Sequence, residues 1–245
     1  MKYNLSLSGK FINIFRLRYF WSRHPWLFYQ AYSRVRYPKK SITKKTNILI
    51  EGFGRSGSSF TADSFKISND NNIQLAWNQK SPSAIYEAIK WNVPTLVLIR
   101  DPKSVVVSYK VMNSKLSMKL LLEEYIKYYS CIWKYRNYYL VCTNDYVWND
   151  FNQLIKIMNN KFNINLNSIS NSNELKKQVI KYQNSEYNKK FSAIWDESIQ
   201  RTINYPTEFK KKLKVDALED YESLKNKELK NLALYWFEQF KRLTN

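Results

Sequence analysis

From residue 47 onward, short apolar runs alternate with longer amphipathic ones. Residues 47–53 (NILIEGF) read as a buried strand running into a glycine turn, and Phe60 to about Ser68 as the helix that follows. Residues 73–77 (IQLAW) predict a short second strand. Residues 82–91 predict a helix, with Ser81 as N-cap and Pro82 in its first turn. Residues 95–100 (TLVLIR) are a continuous apolar run of the kind buried in a parallel sheet. That run ends at Asp101-Pro102, and a helix carrying Val105, Val106 and Tyr109 is expected from near Lys103. Residues 117–137 place Met118, Leu121, Leu122, Tyr125, Tyr128, Tyr129 and Ile132 at helical spacing. A fourth strand at 138–143 (YYLVCT) and a helix at 149–162 follow. Beyond 165 the chain is polar and rich in Asn and Lys, until a helical pattern from about Leu218 to Lys241. Strands alternating with helices predict an α/β fold: three layers, a mainly parallel sheet flanked by helices, and a helix-rich C-terminal half. No repeat or linker divides residues 47–245, which are expected to form one domain. Ligands of such sheets bind beyond the carboxyl ends of the strands. Segments 52–59 and 100–108 both fall there, far apart in sequence and expected to be close in space.

Residues 1–46 stand apart as an arm in which aromatic and basic side chains alternate (FINIFRLRYFWSRHPWLFYQAYSRVRYPKK within it). Two readings of residues 11–37 stand: a peripheral segment lying on an anionic membrane, or an amphipathic helix packing its rings onto the domain, which is the commoner outcome. The chain as a whole has 40 Lys and Arg against 20 Asp and Glu, a formal net charge of +20 in 245 residues. Such a balance points to an anionic partner without saying which. Cys131 and Cys142 form neither a metal spacing nor a disulfide framework, so a reducing, cytoplasmic setting is expected. His24 is the only histidine, which removes most zinc sites; no metal is expected, and general-base chemistry falls to carboxylates, Lys or water. No apolar run approaches the roughly 20 residues of a spanning helix, and Arg16, Arg18 and Arg23 interrupt what would be a signal peptide's core.

The chain has only four glycines, and three of them (Gly52, Gly54 and Gly57) sit in EGFGRSGSSF, residues 51–60. Backbone freedom is concentrated at that one turn. Gly52 and Gly57 match the glycines of G-x-x-x-x-G-K-[ST], but Ser58-Ser59 replaces the Lys-Ser pair. The backbone N–H groups of Ser56, Gly57, Ser58, Ser59 and Phe60, with the positive end of the next helix, form a candidate anion cradle. Arg55 is the nearest cation. In the second segment, LVLIRDPKSVVVSY, Arg100 ends a strand and offers a two-pronged guanidinium, with Ser108 eight residues on.

Together, GFGRSGSSF and LVLIRDPKSVVVSY resemble the sulfotransferases that use 3′-phosphoadenosine 5′-phosphosulfate (PAPS), a family with a P-loop-type fold. The likeness covers roughly residues 47–163 and is nearer to bacterial and Golgi-type members than to cytosolic ones. It implies PAPS as donor and adenosine 3′,5′-bisphosphate as product. It also implies that the first loop, with Arg55, grips the 5′-phosphosulfate while Arg100 and Ser108 hold the 3′-phosphate. Such a donor has no β,γ-phosphate chain, which accounts for the missing lysine. The acceptor would be the hydroxyl or amine of a small molecule or glycan. The glycine-bearing late loop of cytosolic members is absent here, since no glycine follows Gly57. Ser198 to Arg201 (SIQR) is similar to a Ser-x-x-Arg segment of Golgi-type and bacterial members, making Arg201 a candidate, as is the KKKLK run at 210–214 unless it is a solvated basic face.

Cytosolic members carry a histidine base after the second strand; here Lys80 and Ser81 fit that stretch, and Pro82 stands where the histidine would be. Heparan-type members place a carboxylate on the first helix, and Asp63, eight residues past Arg55, is the matching candidate base. Its alternative is a first-turn charge that complements the helix dipole. Lys80 is the expected stabiliser of the sulfuryl oxygens. Two other classes compete. A P-loop kinase shares the fold but needs the absent lysine and Mg²⁺. A non-enzymatic nucleic-acid binder accounts for the charge and the rings but not for the pairing of two loops, which disfavours nucleic acid as partner.

Overall fold

The computed structural model describes residues 40–191 and 208–244. Residues 1–39 of the arm, with His24, and Arg201 lie outside the described residues. Four strands form the sheet: β1 (Ile48–Gly52), β2 (Leu75–Trp77), β3 (Thr95–Ile99) and β4 (Leu140–Thr143). Every pairing is parallel, in the order β2-β1-β3-β4. The central strands β1 and β3 are buried along their whole length, which is why they read as continuous apolar runs rather than as alternating ones.

Two helical layers cover the sheet. Leu49, Val97, Ile99 and Val141 face a core built with α2 (Pro82–Lys90), α3 (Pro102–Met112), α4 (Met118–Ile132), α8 (Glu208–Ser223) and α9 (Lys227–Lys241). Ile48, Ile50, Leu96, Leu98 and Cys142 face the other core, built with α1 (Ser58–Ser68), α5 (Asn144–Asn149), α6 (Phe151–Phe162) and α7 (Ser172–Phe191). The protein is thus the three-layer α/β structure that its alternation predicts. Rings dominate the first core: Tyr125 packs against Tyr129 at 4.6 Å, and Tyr129 against Phe240 at 4.9 Å. Aromatic pairs of this kind contribute about 0.5–1.5 kcal/mol beyond their buried area.

The departures from expectation have local causes. The expected 117–137 helix stops at Ile132, tightens into a 3₁₀ turn at Trp133–Tyr135, and β4 starts two residues late. The turn is held by the Tyr139 hydroxyl, which donates to the Ile132 carbonyl at 2.9 Å. A short α5 precedes α6, separated by Asp150, whose side chain accepts from Gln153 N and starts a new helix. The pattern from Leu218 to Lys241 is two helices; Asn226 caps the second by accepting from Leu229 N at 3.0 Å. The polar stretch beyond 165 contains all of α7 and most of α8. Among the described residues, no helix is long and apolar enough to cross a membrane.

Candidate active site

All four strands point their carboxyl ends at one cleft of about 330 Å³. The loop after β1 contributes Arg55, Gly57, Ser58, Ser59 and Phe60; β2 runs out into Asn78 and Lys80; β3 into Arg100; β4 into Asn144 and Trp148. Ile180 and Gln183 of α7 complete the wall. The cleft opens where the sheet order reverses, with β2 on one side of β1 and β3 on the other, the usual ligand site of open parallel sheets.

The glycine loop is pressed against its neighbours. A Cβ on Gly54 would collide with the Tyr109 hydroxyl, so the backbone there lies on α3. Gly57 has φ +95°, in the left-handed region, and a Cβ on it would overlap the Asn144 side chain. Arg55 adopts φ 70° beside it. Only glycine takes such a conformation without strain, so the arginine is held there by its contacts. Those contacts are visible: Arg55 Nε donates to Ser108 Oγ at 3.0 Å, and its carbonyl accepts from Arg100 Nη1 at 3.2 Å. The two segments expected to meet are therefore bonded to each other twice. The helix that follows is equally specific. Gly57 occupies the N-cap position of α1, no side chain caps the helix, and its first turn carries no carboxylate. The leading N–H groups of a helix need a partner, and here no cap supplies one.

Arg100 is half-buried, and its backbone carbonyl accepts from the Tyr125 hydroxyl at 3.0 Å. Burial lowers its pKa from the ordinary arginine value, with Asp145 and Asp101 opposing the shift. Lys210, in the first turn of α8, is pushed down to about 8, first by burial and then by the Arg55 charge. The KKKLK run thus divides: Lys210 is half-buried and within reach of the Arg55 charge, while Lys211 pairs with Glu208 at 2.6 Å and Lys212 and Lys214 are exposed. Poorly hydrated cations crowded together gain from a multiply charged anion.

Lys80 follows the edge strand β2 and lines the cleft. Glu51 of β1 is fully buried and accepts from the backbone N–H of Gln79 (2.6 Å), Lys80 (3.1 Å) and Ser81 (3.1 Å). Burial, and then the Glu51 charge, raise the Tyr128 phenol well above its ordinary range, so it stays protonated 3.5 Å from that carboxylate. Charge-assisted hydrogen bonds are worth about 1.5–3 kcal/mol each, enough in number to hold a desolvated carboxylate. Asn78 and Lys80 take left-handed φ values of 58° and 56° around this anchor.

The candidates thus occupy distinct places. Arg55, Gly57, Ser58, Ser59, Phe60, Lys80 and Arg100 line one cleft. Ser56 is buried beneath the loop beside the Tyr129 phenol, without a well-formed hydrogen bond to its hydroxyl. Ser108 stands behind Arg55, orienting its guanidinium. Asp63 does not line the cleft; its oxygens are engaged by Gln183 Nε2 at 2.8 Å and Lys66 Nζ at 3.5 Å. Residues the sequence did not suggest are Asn78, Asn144, Trp148, Ile180 and Gln183. Trp148 packs on Phe60 with ring centroids 4.5 Å apart. Its early place after a strand is the one signal that could have marked it.

No protein-family model matches this chain, and no curated protein matches it in sequence. Among solved structures, the mouse sulfotransferase SULT7A1 in complex with PAP is similar over 81% of this chain and 90% of its own, at 12% sequence identity and a TM-score of 0.42.

Proposed function

We propose that this protein is a PAPS-dependent sulfotransferase acting on a hydroxyl or amine of a small-molecule or glycan acceptor. The observation that carries the reading is the junction of Arg55 and Arg100 in one cleft at the uncapped start of α1. A donor with an anionic group at each end fits that arrangement. The N–H groups of Ser58, Ser59 and Phe60, with Arg55, suit its phosphosulfate, and Arg100 suits its separate 3′-phosphate. When bound, this donor supplies an activated sulfuryl group on a bisphosphate leaving group.

The chain's own part is to hold, orient and neutralise, the terms that dominate in transfers of this type. Ser108 fixes the rotamer of Arg55. Glu51 fixes the backbone that carries Lys80, so that an ammonium borders the cleft. No carboxylate lines the cleft among the described residues, and Asp63 takes the acceptor proton only if its pair with Gln183 opens. We therefore assign charge stabilisation to Arg55 and Lys80 and treat Asp63 as positioning α7.

The test is a thermal shift with adenosine 3′,5′-bisphosphate on the wild type and on Arg100→Ala. A ligand bound to the native state at 100 times its Kd raises stability by about 2.7 kcal/mol, so a midpoint rise of several degrees is expected. Arg100→Ala should lose most of it, through about 10- to 100-fold weaker binding. A wild type that shifts with ATP–Mg²⁺ and not with the bisphosphate is a nucleotide kinase instead.

A further inference from the structure

Helix α7 is polar for most of its length, and its buried stripe is Leu175, Val179 and Gln183, at 4%, 0% and 6% exposure. The first two belong to the core around Phe65 and Phe151. The third continues the same row, spaced four residues on, yet is an amide. Its Nε2 donates to Asp63 Oδ2 at 2.8 Å. A carboxylate only accepts, so turning the amide over would set oxygen against oxygen. The other Asp63 oxygen faces Lys66 Nζ at 3.5 Å, which steadies the carboxylate. The orientation of Gln183 is thereby locked. That bond uses only the amide nitrogen, which leaves Oε1 as the acceptor end of a side chain that borders the cleft beside Phe60, Trp148 and Ile180. An oriented acceptor at the cleft wall, next to flat apolar surface, suits a planar group that carries an N–H on its edge.

We infer that Gln183 is a specificity residue: its Asp63-locked carbonyl reads the exocyclic amine of an adenine base and rejects 6-oxopurines, which present a carbonyl at that edge. This rests on the donor reading above and adds the group that distinguishes its base. A site built to receive one donor leaves its own acceptor unpaired when the donor is replaced, and discriminates accordingly.

The experiment is calorimetric titration of the full chain with adenosine 3′,5′-bisphosphate and with inosine 3′,5′-bisphosphate. The wild type should favour the adenosine form by about tenfold or more. Asp63→Asn, which lets the amide turn over, and Gln183→Leu should each bring the ratio below about threefold, by weakening the adenosine form and leaving the inosine form nearly unchanged. Equal, tight wild-type binding of both bisphosphates overturns the role of Gln183 and leaves the donor reading standing. Failure of both to bind overturns the two together. If Asp63→Asn keeps its base preference but loses turnover, Asp63 is the base and the lock is refuted. The wild-type ratio decides the matter even if a variant fails to fold.

Discussion

Helices α1 and α3 begin at the same edge of the sheet, one after β1 and the other after β3, and they begin in opposite ways. Asp101 caps α3 by accepting from Ser104 N at 2.7 Å, with Pro102 in the first turn. The positive end of α3 is answered by its own carboxylate. α1 starts at Gly57 in the left-handed region, with no capping side chain and no acid in its first turn. Ser81, Ser117, Thr143, Asp150 and Asn226 cap the starts of α2, α4, α5, α6 and α9. A side-chain cap is worth about 1 kcal/mol, so α1 gives up stability that these helices keep. What it keeps is a set of N–H groups and a dipole end beside Arg55 and Arg100, free to meet an anion from outside. The difference teaches where to look for function in a chain so rich in basic residues: at the helix start that lacks its internal counter-charge rather than at the lysines themselves.

The contrast breaks most sharply if α1 is made to start as α3 does. Gly57→Asp adds a carboxylate cap and a Cβ that collides with Asn144. Calorimetry should show adenosine 3′,5′-bisphosphate bound at least about 100-fold more weakly, since an acidic cap repels the ligand where the helix had attracted it. Unchanged affinity would mean that the α1 start is not the anion site. The reciprocal change is smaller. Asp101→Ala removes the α3 cap and should lower stability by about 1 kcal/mol in urea denaturation, with affinity for the bisphosphate within about twofold of the wild type. A collapse of affinity there would erase the distinction between the two helix starts. The smallest effect concerns pH. The Lys210 amine has its pKa lowered to about 8, below its unfolded value near 10.4. The folded protein therefore loses this charge first as pH rises. Stability should increase between those two values, whereas anion affinity should fall as pH passes 8, by about two- to threefold between pH 7 and 9. Lys210→Gln should flatten the affinity profile.

Legibility along the chain follows the kind of burial each element has. β1 and β3 are covered on both faces and were plain as apolar runs. Ser81-Pro82 announced α2 through local chemistry that needs no tertiary context, and Ser81 does accept from Ser83 N at 3.3 Å. α7 left almost no periodic signal, because one narrow row of three residues is all it is seen to bury and the third of them is a glutamine. The split at residues 224–226 was hidden for a similar reason: no glycine or proline marks it, and the break rests on Asn226.

The site divides along the same line. The place of Arg55, the serines and Arg100 in one cleft was legible because a glycine turn between a strand and a helix, and an arginine at the end of a neighbouring strand, both fall at the carboxyl edge of a parallel sheet. Ser108 was expected beside Arg100 on a phosphate, whereas its hydroxyl bonds Arg55, a contact that depends on the glycine loop lying on α3. Asn78, Asn144 and Trp148 come from the ends of β2 and β4, the two outer strands. Nothing local to the two asparagines points to a ligand.

The sequence by itself determined the alternation of strands and helices and the composition of the two loops, since both follow from short-range sterics, hydrogen bonding and hydrophobic periodicity. Only the tertiary structure decided that Arg100 bonds to the Arg55 carbonyl, that Glu51 shapes the backbone of Lys80, and that Asp63 faces Gln183 across 120 residues. Those are contacts between segments brought together by sheet order and layer packing, and a one-dimensional pattern does not record which buried polar group will answer which.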